Sequence, residues 1–104
     1  MTTKRQTPWG QADNMEALAA GIISYSTPSH GGIWLSAERQ RQLGYKHNFL
    51  NNPEWWEEDC DWAVPYVFFQ ADIRASGKAF DFEGNLKAAL EIIKRCHLGF
   101  RVPA

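Results

Sequence analysis

The feature that most constrains the fold is a run of five turn-forming residues, Pro28–Gly32, between two apolar segments. Before this run, residues 21–27 are rich in β-branched and aromatic side chains, and Ile23 and Tyr25 alternate with serines. After it, the apolar pattern resumes at residues 33–35. β-branched and aromatic residues favour strands, whereas Pro, Ser and Gly favour the turn that joins them. The pattern therefore predicts an antiparallel β-hairpin with a five-residue loop.

Two segments carry clear start and stop signals for helices. Ser36 stands before a run of good helix formers that ends at Gly44, which predicts a short capped helix. Asp81 is the expected N-cap of the last helix. The apolar residues of that helix recur at spacings of three and four: Leu86, Ala89, Leu90 and Ile93. This stripe is typical of a helix that packs one face against a core.

A third helix is predicted in the centre of the chain. Asn52 followed by Pro53 is a start signal, because proline is favoured at the first helical position. The helix is expected to extend to about Val67 and to kink or break near residues 61–65, since Pro65 removes a hydrogen bond and clashes with the preceding turn. Its predicted buried face comprises Trp56, Cys60, Ala63, Val64 and Val67.

These elements predict one α+β domain, which suits a chain of 104 residues. Residues 1–8 are polar and are predicted to be a flexible lead-in, and residues 9–104 form the domain. We expect a small antiparallel sheet of about two to four strands, with about three helices packed on one face. Residues 9–20 fit either a helix or a strand, and residues 45–52 and 70–80 are predicted loops.

Charge and composition restrict the partners. Eleven basic and twelve acidic residues give a net charge of −1, so no basic field favours nucleic acid and we expect no direct nucleic-acid binding. No apolar run is long enough to cross a membrane, and no secretory leader is seen. Two cysteines without a leader predict free thiols in a cytoplasmic protein.

Acidic residues cluster around one of those cysteines, Cys60. His30 precedes Cys60 in the chain, and this order resembles that of circularly permuted papain-like hydrolases. One hypothesis is therefore a Cys–His thiol hydrolase with His30 and Cys60 as catalytic residues, in which the helix start favours the thiolate. However, neighbouring carboxylates raise the pKa of a thiol, and free cysteines are commonly buried. A small buried Cys60 is the favoured interpretation.

Metal and cofactor sites have weaker support. His30, His47, Glu57 and Asp61 are of ligand types, but no Cys-x-x-Cys or His-x-x-x-His spacing accompanies them. No glycine-rich phosphate loop is followed by the lysine that nucleotide binding requires. We therefore expect neither a metal nor a cofactor.

Aromatic residues are abundant, with five Trp, three Tyr and six Phe. Trp55 and Trp62 are predicted to point away from the buried face of the central helix, beside its acidic residues. Exposed tryptophans of this kind are typical of binding hot spots. The alternative, which stays open at this point, is that a small core uses large side chains on several sides. The predicted binding surface comprises His30, Trp55, Glu57, Glu58, Asp59, Asp61 and Trp62.

Four motifs occur together along the chain. They are Thr-Pro-Trp-Gly at residues 7–10, Ser-Thr-Pro-Ser-His-Gly-Gly at 26–32, Leu-Ser-Ala-Glu-Arg at 35–39, and Trp-Glu-Glu-Asp-Cys-Asp-Trp-Ala at 56–63. Over residues 7–69 the chain resembles an uncharacterised domain family of bacteria, plasmids and phages. The resemblance implies no activity. It does imply a mobile-element setting, in which small cytoplasmic proteins often block host defences by binding them.

The leading prediction is a non-enzymatic protein-interaction protein of a phage or mobile element. It is expected to bind a protein partner in the bacterial host cytoplasm and to inhibit a host defence complex, in an anti-CRISPR-like or anti-restriction-like manner. The Cys–His thiol hydrolase is the alternative function. A homodimer is the alternative to a foreign partner.

Overall fold

Four antiparallel strands form the central sheet of the protein, in a computed structural model that describes residues 5–44, 52–97, 99 and 100. Numbered along the chain, the strands are β1 (Gln6–Thr7), β2 (Gly10–Gln11), β3 (Asn14–Ala19), β4 (Ile22–Ser26), β5 (Gly31–Leu35) and β6 (Trp55–Glu57). β1 and β2 form a separate pair, and β3 to β6 lie side by side in chain order. The predicted hairpin is confirmed, because β4 and β5 pair antiparallel with Ser24 opposite Ile33.

Alternation of side chains gives the sheet two different faces. On one face, Ile22, Ile33 and Trp56 belong to the main core, and Trp56 is fully buried. The register places Trp56 directly opposite Ile33. On the other face, Tyr25 and Trp55 belong to a second, smaller apolar cluster. Each face of the sheet therefore carries an apolar cluster.

Four helices lie among the described residues: α1 (Ala37–Leu43), α2 (Ala63–Phe68), α3 (Gln70–Ser76) and α4 (Phe82–Cys96). The prediction for α1 is confirmed, since Ser36 Oγ accepts from the Arg39 amide at 3.3 Å and Gly44 ends the helix with a φ of 70°. The prediction for α4 is confirmed as well, with Asp81 accepting from the Gly84 amide. Of the helices in the described ranges, none is both long and apolar enough to cross a membrane.

The helices cover the main-core face of the sheet. Val64 and Val67 of α2, Ile73 of α3 and Ile93 of α4 are buried there with the sheet residues. The protein therefore has an α+β fold with an antiparallel sheet, as the sequence predicts. Burial of these aliphatic side chains is the main stabilising contribution of this layer.

The prediction of a helix that starts at Pro53 is wrong. Residues 55–57 instead form β6, where Trp56 pairs with Ile33 and its indole donates to the Pro53 carbonyl oxygen at 2.8 Å. The helical segment begins only at Ala63. Pro65 is then its third residue, in the first turn, where backbone N–H groups have no helical partner, so it removes no hydrogen bond from the helix.

Two flanking segments also differ from their predictions. Residues 6 and 7 of the expected lead-in form β1, and Thr7 is buried, with its hydroxyl donating to the Gly10 carbonyl oxygen at 2.6 Å. Part of the expected loop 70–80 is helix α3, which is stabilised by one buried side chain, Ile73. Residues 9–20, whose sequence fits either a helix or a strand, contain strands β2 and β3. The predicted loop 45–52, with His47, lies outside the described residues up to position 51.

A disulfide joins Cys60, in the turn before α2, to Cys96, the last residue of α4. The two Cα atoms lie 6.0 Å apart, and 36 positions separate the cysteines in the sequence. The prediction of free thiols is therefore wrong. It rested on the absence of a leader, a compartment argument that carries no information about which side chains the fold brings together.

Candidate functional site

The end of β6 presents three consecutive carboxylates, Glu57, Glu58 and Asp59, which we call the acidic turn. The Glu58 amide donates to the Gly31 carbonyl oxygen at 2.9 Å, so the turn is fixed beside the β4–β5 hairpin. The Asp59 amide donates to Glu57 Oε1 at 2.8 Å. Strand pairing and these two hydrogen bonds hold the carboxylates in a defined arrangement at the sheet edge.

His30 faces the acidic turn from the hairpin loop. Its Nδ1 lies 3.7 Å from Glu57 Oε2 and 3.7 Å from Glu58 Oε1. The His30 and Glu58 side chains are 50% and 48% exposed, whereas Glu57 is 14% exposed. The contact between His30 and Glu58 is long and solvent-exposed, so it contributes little to stability and leaves these two side chains accessible to a partner.

The hairpin loop that carries His30 is itself held by Thr27. The Thr27 hydroxyl donates to the His30 carbonyl oxygen at 2.7 Å and accepts from the His30 amide at 3.0 Å. This is the local hydrogen bonding by which threonine stabilises a turn. The next residues must be small, because a Cβ on Gly32 would collide with the Trp56 carbonyl oxygen and the Trp9 indole. The two glycines that follow His30 are thus a structural requirement at the start of β5.

Glu57 has an altered acidity. Burial raises its pKa above the ordinary value of 4.5, because the charged form loses solvation. The hydrogen bond from the Asp59 amide opposes this rise, and the negative charges of Asp59 and Glu58 add to it. The acidic turn therefore contains one carboxylate that holds its proton more tightly than a free glutamate does.

Two of the predicted binding residues are buried and do not belong to this surface. Trp55 is 6% exposed, with its ring 5.8 Å from the rings of both Trp9 and Tyr25. The guanidinium of Arg5 lies 5.6 Å from the Trp55 ring. Of the two alternatives for the aromatic residues, core packing applies to Trp55, because β6 turns this side chain onto the second face of the sheet, next to Trp9 and Tyr25.

Asp61 is the second buried residue, at 2% exposed. His97, also buried, places its Nε2 at 3.3 Å from Asp61 Oδ1 and at 3.2 Å from the Cys60 carbonyl oxygen. Asp61 therefore lies in the core beside His97 and not on the predicted binding surface. The sequence does contain a signal for this contact, because Asp61 and His97 each directly follow one of the two cysteines that form the disulfide.

Cys60 has no free thiol in this structure, since its sulfur is bonded to Cys96. The alternative catalytic pair of His30 and Cys60 would need this bond to be reduced before a thiolate could form. His30 faces Glu57 and Glu58 instead. In the described part of the chain, no group of three or more His, Cys, Asp or Glu side chains is arranged to hold a metal ion.

A cavity of about 240 Å³ adjoins the acidic turn on the helix side of the sheet. Glu58 lines both the turn and the cavity, and Trp62 is the one predicted aromatic site residue on its wall. Trp62 is half-buried and packs edge-on against Tyr66, with ring centroids 5.4 Å apart. The polar wall is completed by Glu16, Ser24, Ser26 and Asn85. Sequence periodicity missed this cavity because its residues come from distant segments.

The four motifs and this architecture can now be compared with known proteins. Residues 2–97 match the family described as Domain of unknown function (DUF7007). The chain belongs to this family. The match extends beyond the region of resemblance, residues 7–69, and includes all of helix α4. Both the acidic turn and the cavity therefore lie within the family domain. No curated protein and no solved structure matches the chain.

Proposed function

We propose that this chain is a non-enzymatic protein-binding domain whose acidic turn contacts a basic surface on its partner. The observation that carries the proposal is the exposed group of carboxylates at the end of β6, held next to His30. Complementary charge guides association and selects partners more than it adds affinity. A turn already fixed by strand pairing loses little conformational entropy on binding.

The proposed partner is a subunit of a bacterial host defence complex, which the chain inhibits in an anti-CRISPR-like or anti-restriction-like manner. Two arguments support this choice. The motifs resemble a family of bacteria, plasmids and phages, a setting in which the protein acts in the host cytoplasm. Defence complexes that handle nucleic acid also carry basic surfaces, to which a local acidic turn is complementary.

The test is affinity capture from a bacterial host lysate with quantitative mass spectrometry. Asp59→Lys reverses one charge of the acidic turn and is expected to reduce recovery of the specific partner at least about tenfold, since like charges now meet. Glu38→Lys is the matched control. It makes the same charge change in the first turn of α1, at the opposite end of β5 from the acidic turn.

Three results would count against the proposal. One is equal recovery of every protein by the wild type and Asp59→Lys. Another is an equal loss with Glu38→Lys, which would indicate a general charge effect. A captured partner unrelated to host defence would refute the inhibitor role and leave the binding surface intact. Sedimentation velocity of the purified chain decides the remaining alternative, a homodimer.

A further inference from the structure

The disulfide between Cys60 and Cys96 lies directly beside the acidic turn. Asp59, the last residue of that turn, precedes Cys60, and the bond joins this end of the turn to the last residue of α4. The other end is held by the Glu58 amide, which donates to the Gly31 carbonyl oxygen. The position of the acidic turn therefore depends in part on a bond that can be broken and re-formed chemically.

The disulfide lies where a reagent can reach it without opening the core. Cys96 is exposed and Cys60 is half-buried. Among the described residues that form the two apolar clusters, neither cysteine is a member. Exposed disulfides are more easily reduced than structural ones and are commonly regulatory. Reduction is therefore expected to remove a crosslink and to leave the apolar packing of the protein in place.

A second, non-covalent contact joins the same two segments. His97 places its Nε2 at 3.3 Å from Asp61 Oδ1 and at 3.2 Å from the Cys60 carbonyl oxygen, and both side chains are buried. This contact remains when the disulfide is reduced, so it keeps the turn before α2 close to the end of α4. Without the crosslink, however, the two segments separate more often, because no covalent bond then limits the open state.

We propose that the Cys60–Cys96 disulfide is a reversible redox switch that sets how firmly the acidic turn is held for its partner. This inference rests on the proposed function for the partner and for the cytoplasmic setting, where disulfides that form are usually catalytic or redox-sensing. The oxidised chain binds the partner more tightly, since a firmly held turn loses less conformational freedom on binding. The reduced chain stays folded and binds more weakly.

The reactant that breaks the bond is a dithiol. One of its thiolates attacks the exposed Cys96 sulfur, which forms a mixed disulfide and releases the Cys60 sulfur as a thiolate that takes up a proton. The second thiol of the reagent, as a thiolate, then displaces the Cys96 sulfur, which is protonated in turn. The two cysteines gain two electrons and two protons, and the dithiol becomes a disulfide. Glutathione disulfide reverses the change and is itself reduced to two molecules of glutathione.

Backbone hydrogen exchange of the whole chain, without a partner, tests the two states. One sample is oxidised, one is reduced with dithiothreitol, and one is reduced and then reoxidised with glutathione disulfide. Reduction should speed exchange at least about tenfold at the Trp62 and His97 amides, which donate to the Glu57 and Ile93 carbonyl oxygens. Strands β5 and β6 should stay protected, and reoxidation should restore slow exchange. Alkylation and mass spectrometry count the free cysteines.

The double variant Cys60→Ser, Cys96→Ser is the matched control, and dithiothreitol should leave its exchange unchanged. If this variant does not fold, reversal by reoxidation alone separates the switch from an effect of the reagent. Three results overturn the proposal: no free cysteine in dithiothreitol, loss of protection in β5 and β6 on reduction, or equal exchange at the Trp62 and His97 amides in both states.

Partner binding then tests the regulation. The oxidised chain should bind the captured partner at least about threefold more tightly than the reduced chain does. Equal affinity in the two states would refute the switch and leave the proposed function standing. The absence of any specific partner for the oxidised chain would refute the proposed function and the regulation with it, even where exchange responds to the redox state.

Discussion

His30 and His97 each lie beside a carboxylate, but the first pair is at the surface and the second is in the core. His30 is half-exposed and stays 3.7 Å from Glu57 and Glu58. His97 is buried with Asp61, at 3.3 Å, and shares its Nε2 with the Cys60 carbonyl oxygen. The same two side-chain types therefore occupy environments of very different polarity.

This difference in burial indicates which of the two contacts stabilises the fold and which is available for recognition of a partner. Groups buried in a low-dielectric interior are costly to leave without a partner, so breaking the buried pair destabilises the fold. Groups in water exchange one partner for another at little cost. The Asp61–His97 pair is thus a structural contact that joins the turn before α2 to the end of α4. The His30–acidic turn group is free to bind something else.

The largest expected effect comes from the disulfide that brings the buried pair together. Cys96→Ser opens a loop whose cysteines lie 36 residues apart. Chain entropy for a loop of this length predicts a loss of about 4 kcal/mol in the free energy of unfolding. Urea denaturation measures it, with Ala88→Ser at an exposed position of α4 as the control. Equal stability of the two variants would show that the bond does not fasten this end of the helix.

The comparison itself is tested by replacing each histidine. His97→Ala leaves Asp61 without this partner in the core and should lower the free energy of unfolding by about 3 kcal/mol. His30→Ala removes an exposed contact and should change it by less than about 0.5 kcal/mol. Both values come from denaturant unfolding at pH 7. Similar losses in the two variants would mean that burial does not separate the pairs.

Tyr66 sharpens the comparison, because it is buried as Asp61 is but its hydroxyl lacks a partner among the described residues. Removing an unsatisfied hydroxyl restores stability instead of lowering it, so Tyr66→Phe should raise the free energy of unfolding by about 1 kcal/mol. Tyr25→Phe is the matched substitution. A clear loss of stability in Tyr66→Phe would show that the hydroxyl is bonded in solution.

The smallest effect concerns the acidity of Glu57. Because its pKa is raised in the folded protein, the folded state binds the proton more tightly than the unfolded state. This contribution to stability is complete below pH 4.5 and is lost as the pH rises through the folded-state pKa. Glu57→Gln should therefore be slightly more stable than the wild type at pH 7, and this advantage should vanish near pH 4. Thermal unfolding at the two pH values measures it, and an advantage that persists at pH 4 would contradict this origin.

Local signals in the sequence predict the elements whose stability is local. Helices α1 and α4 follow from Ser36, Gly44 and Asp81, because a cap is a contact between neighbours in the chain. The α+β class follows from the same elements and the hairpin. Strand β6 cannot be predicted from such local signals, since the pairing of Trp56 with Ile33 joins residues far apart in sequence.

The same distinction between local and long-range contacts applies to the candidate site. The sequence predicts that His30 and the three carboxylates belong to one binding surface. In the structure, His30 lies beside Glu57 and Glu58 of that group. The sequence could not separate exposed Asp59 from buried Asp61, because the contact of Asp61 with His97, next to the disulfide, joins residues far apart in the chain. The cavity around Tyr66 is equally invisible, since its walls come from the sheet and two helices.

Backbone hydrogen exchange of the chain with and without its captured partner is the most direct test of recognition by the acidic turn. In the free chain, the amides of His30 and Asp59 donate to side-chain oxygens in exposed turns, and they should exchange quickly. Binding is predicted to slow exchange over residues 29–32 and 57–59 and to leave the exposed α1 amides near Glu38 unchanged. Slowed exchange confined to other segments, with these two turns unaffected, would contradict the proposed surface.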